Sequence, residues 1–175
     1  MPKKQLIIGC RPSTLAVTQA QHVQFLLEKQ DPSLSWKIET HKTEGDINQT
    51  DTLQTLGGKN IFVKNLEDKL LSQEVDLLVH SLKDITATLH PALCLAGYLP
   101  GPSQKDCLIF KKGTTIKTLA DIPKHATIAT SSLRRKAQLM AYRPDLHIVP
   151  IRGNIDTRIK KLDDTNIDGI MLAEA

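Results

Sequence analysis

Aromatic side chains are scarce in this 175-residue chain: three Phe, two Tyr and one Trp. A surface that stacks nucleic-acid bases needs such rings, and the most basic stretch of the sequence holds one, Tyr142. Cysteine is scarce too. Cys10, Cys94 and Cys107 are odd in number, far apart and without C-x-x-C spacing, which argues against both a disulfide framework and a zinc knuckle. The six histidines form neither an H-x-x-x-H nor an H-E-x-x-H pair, so no metal site is expected. No apolar run approaches the ~20 residues that span a bilayer. Only Leu6-Ile7-Ile8-Gly9 precedes Cys10 and Arg11, too short for a signal-peptide core. The expectation is a soluble cytoplasmic protein, off the membrane, in which the Asn48-Gln49-Thr50 sequon goes unused.

What is present is 40% hydrophobic and 24% charged, with Leu, Ile and Val recurring throughout. That excludes disorder and supplies apolar surface for one large core or two small ones. The net charge of +4 is unevenly held. Residues 1–99 carry 10 Lys and Arg against 11 Asp and Glu, whereas residues 100–175 carry 13 against 8. Five of the six arginines, Arg134, Arg135, Arg143, Arg152 and Arg158, fall within 25 positions. Charge focused in this way points to an anionic partner, and with so few rings a small polyanion suits it better than nucleic acid.

Strand and helix signals alternate along the chain. Residues 5–9 read as a strand, and residues 13–29 as a helix with Ala16, Ala20, Val23 and Leu27 on one face and Ser13 or Thr14 as its cap. Residues 36–40 alternate like a strand. Residues 43–60 are polar and aperiodic, with Gly45, Gly57 and Gly58, and read as a long mobile loop. Phe62, Leu66 and Leu70 mark a helix reaching about residue 73, followed by a buried strand at 76–80. Residues 93–98 are also strand-like, and Pro100-Gly101-Pro102-Ser103 has the composition of a linker. Further strands are expected at 106–110, 126–130 and 147–151. Helices are expected at 132–142 and at 155–162, the latter striped at Ile155, Ile159 and Leu162. The pattern predicts an α/β fold with mostly parallel sheets and helices on both faces. Linker and charge shift divide it into domain 1 at 1–99, a linker at 100–104 and domain 2 at 105–175. Residues 168–173 read as one more strand, and a parallel strand there would feed another helix. The chain is therefore expected to be a fragment, with its second domain truncated.

Three places join a strand end, an Arg or Ser/Thr cluster and a helix start: Gly9-Cys10-Arg11-Pro12-Ser13, Thr130-Ser131-Ser132-Leu133-Arg134-Arg135, and the stretch from Ile151-Arg152-Gly153-Asn154 to Arg158. Ligands of open α/β sheets lie beyond the carboxyl ends of the strands, where helix starts offer free N–H groups. Guanidinium forks there can grip carboxylates. A fourth place, Val79-His80-Ser81-Leu82-Lys83-Asp84, sets a cation and a carboxylate just past a strand. Asp84 could move protons or stabilise a developing cation, and Lys83 could bind an anion. His80 reads more readily as a core histidine. Gly57-Gly58-Lys59 is no Walker loop, because Leu53 stands where the first glycine belongs and Asn60 follows the lysine.

At these residues the sequence resembles the porphobilinogen deaminase (hydroxymethylbilane synthase) family of tetrapyrrole and heme biosynthesis. The matching pieces are Arg11-x-Ser13-x-Leu15-Ala16-x-x-Gln19, Gly57-Gly58-Lys59-x-Ile61-Phe62-Val63-Lys64, His80-Ser81-Leu82-Lys83-Asp84, Thr130-Ser131-Ser132-Leu133-Arg134-Arg135, Arg143-Pro144-Asp145-Leu146 and Arg152-Gly153-Asn154-Ile155-Asp156-Thr157-Arg158. The resemblance implies two periplasmic-binding-protein-like (type II) α/β domains around a cleft, with a small third domain absent from this chain. It implies a cytoplasmic, monomeric transferase that joins four porphobilinogen units, releasing ammonia each time, into linear hydroxymethylbilane. The polypyrrole grows on a dipyrromethane cofactor attached to a cysteine of the third domain. None of Cys10, Cys94 and Cys107 stands in that cysteine's context, so this piece alone is expected to be inactive.

By the same resemblance Asp84 is the catalytic carboxylate, with Lys83 beside it. Lys83, Arg11, Ser13, Ser132, Arg134, Arg135, Arg152 and Arg158 would hold the acetate and propionate groups of cofactor and substrate. Phe62, with Lys59, would belong to a lid. The chemistry makes sense of the composition: each porphobilinogen carries two carboxylates, and loss of ammonia leaves an electron-poor azafulvenium that a carboxylate stabilises. The alternative is a non-catalytic periplasmic-binding-like protein for a small dicarboxylate or phosphate, indifferent to Asp84.

Overall fold

The computed structural model describes residues 4–43, 63–86, 88–101 and 103–174. They form a mixed α/β fold with parallel sheets, in two compact units, Met1–Gly97 and Tyr98–Ala175.

In unit 1, β1 (Lys4–Cys10) is central to a parallel sheet of order β2-β1-β3. It pairs with β2 (Leu34–Thr40) from Lys4–Leu34 to Cys10–Thr40, and with β3 (Leu77–Leu78) at Ile8 and Gly9. A parallel strand flanked on both sides must bury both faces, which is why Leu6-Ile7-Ile8 runs apolar without alternating. α1 (Thr14–Gln30) begins at Ser13, whose Oγ accepts from the Ala16 N–H at 3.3 Å. Val17, Ala20, Val23 and Leu27 pack on Ile8, Cys10, Trp36 and Ile38. The stripe thus starts at Val17 rather than Ala16, which lines the cavity described below. Gln24 Nε2 donates to the Trp36 carbonyl at 2.8 Å, and Glu28 Oε1 accepts from the Trp36 N–H at 3.2 Å, fastening the helix to β2. α2 (Lys64–Leu71) buries Leu66.

The strand expected at 76–80 is shorter. Asp76 serves as a clamp instead: its Oδ2 accepts from the Ile7 N–H at 2.8 Å and its own N–H donates to the Ile7 carbonyl at 2.9 Å. Only Leu77 and Leu78 then join the ladder. Residues 93–98 form no strand at all. Leu95 and Tyr98 are 52% and 82% exposed, and no ladder among the described residues takes them up. An apolar run becomes a strand only where an edge receives it. Of the expected loop at 43–60, residues 44–60 lie outside the described residues; Thr43 is buried.

Unit 2 contains β4 (Asp106–Phe110), β5 (Thr127–Ala129), α3 (Leu133–Tyr142), β6 (His147–Val149), α4 (Ile155–Asp164) and β7 (Gly169–Ala173), with sheet order β4-β7-β5-β6. β5 runs parallel to β6 and β7, but β4 pairs antiparallel with β7 from Asp106–Ala173 to Phe110–Gly169. β4 precedes the β-α repeats, so no crossover helix dictates its direction. Asp168 repeats the Asp76 device, accepting from the Thr127 N–H at 2.7 Å and donating its own N–H to the Thr127 carbonyl at 3.0 Å.

Adjacent residues of β5 point to opposite faces. Ile128 packs with Leu139 of α3, and Ala129 with Leu162 of α4, so the two helices cover opposite sides of the sheet. Ile159, read as part of the α4 stripe, is exposed. Gly169 has no room for a side chain, because a Cβ would stand 2.8 Å from the Phe110 ring. Among the described residues, no helix is long and apolar enough to cross a membrane.

Candidate functional site

Parallel pairing brings the carboxyl ends of β1 and β3 to one edge of the unit 1 sheet, beside the start of α1. There a cavity of about 40 Å³ is lined by Arg11, Ser13, Leu15, Ala16, Gln19, Val79, His80, Ser81 and Asp84. Such a space admits one small polar group. Asp84 is half-buried and closes a single 3-10 turn, Leu82–Asp84, its N–H donating to the Ser81 carbonyl at 2.9 Å. Ser81 Oγ donates to Gln19 Oε1 at 3.0 Å, tying this turn to α1. Ser13 lines the cavity while its Oγ caps α1. Lys83 shares the turn of Asp84, is exposed, and does not line the cavity.

His80 carries the feature that the sequence did not disclose. Its Nε2 is buried without a hydrogen-bond partner. Burial pushes its pKa below the ordinary histidine value; the Asp84 charge pulls it back up and Arg11 pushes it further down. The net effect keeps the imidazole neutral near pH 7. A buried polar atom without a partner costs ~1–3 kcal/mol, and it belongs to a residue that lines the cavity.

In unit 2 the two arginine-bearing loops are knitted together. Ser131 Oγ donates to the Ile151 carbonyl at 2.7 Å and accepts from the Ile151 N–H at 3.0 Å. Ser132 caps α3, accepting from the Arg135 N–H at 3.4 Å, and its own N–H donates to Thr130 Oγ1 at 3.2 Å. Arg134 and Arg135 then meet one carboxylate, Asp106. Arg134 Nη1 lies 2.7 Å from Asp106 Oδ2, while Arg135 Nε and Nη2 both lie 2.9 Å from Oδ1. Burial raises the Asp106 pKa, but the hydrogen bonds from Arg134 and Arg135 outweigh it and hold the group below the ordinary carboxylate range.

On the second loop Asn154 Oδ1 caps α4, accepting from the Thr157 N–H at 2.9 Å and its hydroxyl at 2.7 Å. Gly153, at φ +107°, makes the turn between Arg152 and that cap. Arg158 Nε donates to the Gly153 carbonyl at 2.8 Å, and Lys161 Nζ to the Arg152 carbonyl at 3.1 Å. Both Arg152 and Arg158 are half-buried.

Arg143, counted in the basic cluster, is taken up by structure. It grips both oxygens of Asp145 at 2.7 Å and donates to the Leu119 carbonyl at 2.6 Å. Lys59 and Phe62 lie outside the described residues. Unit 1 therefore gathers Arg11, Ser13, Asp84 and His80, and unit 2 gathers Arg134 and Arg135 on Asp106, with Ser132 capping their helix. Asp106 itself was visible in the sequence only as the first residue of a strand. Guanidinium groups beside capped helix starts suit a ligand bearing several carboxylates, which is the donor chemistry that a dipyrromethane requires.

A family model described as "Porphobilinogen deaminase, dipyromethane cofactor binding domain" matches residues 6–175. Curated porphobilinogen deaminases align along almost the whole chain. The one from Limosilactobacillus reuteri (strain DSM 20016) is 46% identical over 171 residues, covering 98% of this chain and 55% of its own length. That of Ehrlichia chaffeensis is 48% identical over 168 residues, covering 96% and 55%. That of Chlorobaculum tepidum is 43% identical over 173 residues, covering 99% and 54%. The chain spans about half the length of the curated relatives it matches. Among solved structures, a mutant of ArgBP from T. maritima overlays with a TM-score of 0.38 at 14% identity, covering 97% of this chain and 68% of that one, which assigns no fold. The match over residues 6–175, with relatives more than 40% identical throughout, makes this chain a member of the porphobilinogen deaminase family.

Proposed function

We propose that this chain supplies the carboxylate-binding arginines and the catalytic carboxylate, Asp84, of an enzyme that joins four porphobilinogen units, with loss of ammonia, into linear hydroxymethylbilane. The observation that carries the reading is the unit 1 cavity, where Asp84, Arg11, Ser13 and His80 meet at the carboxyl edge of a parallel sheet. Loss of ammonia from porphobilinogen leaves a cationic azafulvenium. A half-buried carboxylate stabilises that charge better than bulk water does, because the surrounding dielectric is lower and the group is already in place. A neutral His80 adds no competing positive charge beside it. In this reading Arg11, which lines the same cavity, pairs with a substrate carboxylate.

The porphobilinogen side chains present two carboxylates per unit, and a guanidinium fork matches each through two parallel hydrogen bonds. In this reading Arg11, Ser13, Lys83, Ser132, Arg134, Arg135, Arg152 and Arg158 share the acetate and propionate groups of substrate and dipyrromethane. When bound, the dipyrromethane supplies the pyrrole carbon from which the polypyrrole grows, with its attachment cysteine in a third domain. The same proposal includes type II periplasmic-binding-protein-like domains at 1–99 and 105–175 joined by 100–104, a cytoplasmic monomer, and a lid carrying Lys59 and Phe62.

The test is Asp84→Ala in the full-length enzyme. Porphobilinogen consumption should vanish while the circular dichroism spectrum and thermal midpoint stay those of the parent. Near-normal consumption would remove Asp84 from the chemistry and with it the assignment.

A further inference from the structure

Asp106 is a carboxylate already seated on Arg134 and Arg135, both of which the proposed function gives to a ligand, and it leaves only Arg134 open to exchange. Its two oxygens treat the two arginines differently. Arg135 is 11% exposed and held three ways, with Nε and Nη2 on Oδ1 and Nη1 donating to the Met171 carbonyl at 3.3 Å. Arg134 is 60% exposed, held by Oδ2 and by Gln138 Oε1 at 3.0 Å, one helical turn away. We propose that Asp106 is an internal stand-in for a ligand carboxylate: it fixes Arg135 in place and holds Arg134 until an incoming carboxylate takes Arg134 over.

The inference rests on the reading of this cluster as an anion site. Its physical basis is the difference in solvation. An exposed guanidinium exchanges one charge-assisted hydrogen bond for another, with water filling in during the transfer. A desolvated one that leaves its partner strands both charges, so Arg135 stays. The Asp106 charge also opposes any second anion at this spot. A ligand with one carboxylate gains little by displacing it, whereas a ligand with several can offset the repulsion at other arginines. Asp106 is therefore a specificity-determining residue that favours polycarboxylates over simple anions.

Succinate is the probe, titrated calorimetrically into the full chain at low salt, with the arginine Nε–H signals followed by NMR. Asp106→Asn should bind succinate about tenfold more tightly than the parent, because the competing charge is gone while an acceptor for Arg135 remains. Adding R134Q should abolish that gain. In the parent, succinate should move the Arg134 Nε–H signal and leave that of Arg135 in place. Equal or weaker binding by D106N, with parental near-UV circular dichroism, overturns the inference and leaves the anion site standing if R134Q alone still weakens binding. If D106N does not fold, the parent titration decides, and movement of the Arg135 signal overturns the inference. Binding by neither protein overturns the anion site and this inference together.

Discussion

Replacing Gly153 with alanine tests whether the second arginine loop is built as described. Gly153 sits at φ +107°, a region that a residue with a Cβ occupies at a cost of ~1–3 kcal/mol. The new Cβ would also stand 2.6 Å from Thr157 Cγ2 and 2.8 Å from Thr157 Cβ. Thr157 is β-branched, in the first turn of α4, so its χ1 has few alternatives. Its hydroxyl is held by Asn154 Oδ1 at 2.7 Å, and swinging it away forfeits about 1 kcal/mol of hydrogen bonding at the helix cap. The combined penalty is roughly 3 kcal/mol, which in a unit of this size lowers the melting midpoint by ~12–24 °C. Hydrogen exchange at the buried amides of Ile128 and Ile170 reports unit 2 on its own. Repeating the substitution in a Thr157→Gly background removes the overlap and leaves only the backbone strain, so the penalty should shrink by about 1 kcal/mol, to about 2 kcal/mol. A loss below about 0.5 kcal/mol, or the same loss in both backgrounds, would refute the account of this turn.

Two further outcomes follow from burial and charge pairing. Cys10 is fully buried and burial raises its thiol pKa, whereas Cys94 is exposed. At mildly alkaline pH a thiol reagent should modify Cys94 at once and Cys10 only as fast as unit 1 opens; equal rates, read by mass spectrometry of the digested chain, would contradict the packing of β1. Arg143 hydrogen bonds hold Asp145 well below the ordinary carboxylate range. A depressed folded pKa contributes stability that is complete above about pH 4 and drains away as the pH falls further. Asp145→Asn should therefore flatten the acid limb of urea midpoints measured below about pH 4, and an acid limb as steep as the parent's would refute it.

The features legible in the sequence were the local ones. Ser13, Ser132 and Asn154 each precede a helix with a side-chain acceptor, and each caps the helix expected there. Strand and helix alternation from residue 106 onward follows from apolar doublets that serve two faces, as at Ile128 and Ala129. Among the site residues, Arg11, Ser13 and Asp84 line one cavity because their motifs sit at strand ends that parallel pairing aligns. What escaped depends on partners distant in sequence. The unpaired segment at 93–98 and the reversed direction of β4 are decided by which edges exist. The Arg135–Asp106 contact spans 29 residues, and no periodicity marks it. Arg143 counts toward the basic cluster in the sequence, but an aspartate two residues on claims its fork.

The order of strands in each sheet has a consequence for synthesis. In unit 1 the middle of the sheet, β1, is made before β2 and β3, so each of them meets a waiting partner. In unit 2 the strand that separates β4 from β5 is β7, which is made after both. Until it arrives, β4 has no neighbour in the sheet and Ile128 and Ala129 lack the flank that Gly169 and Ile170 provide. A nascent chain emerging from the ribosome would thus pair the described strands of unit 1 early and carry those of unit 2 open, with adhesive edges bared, until translation passes residue 173.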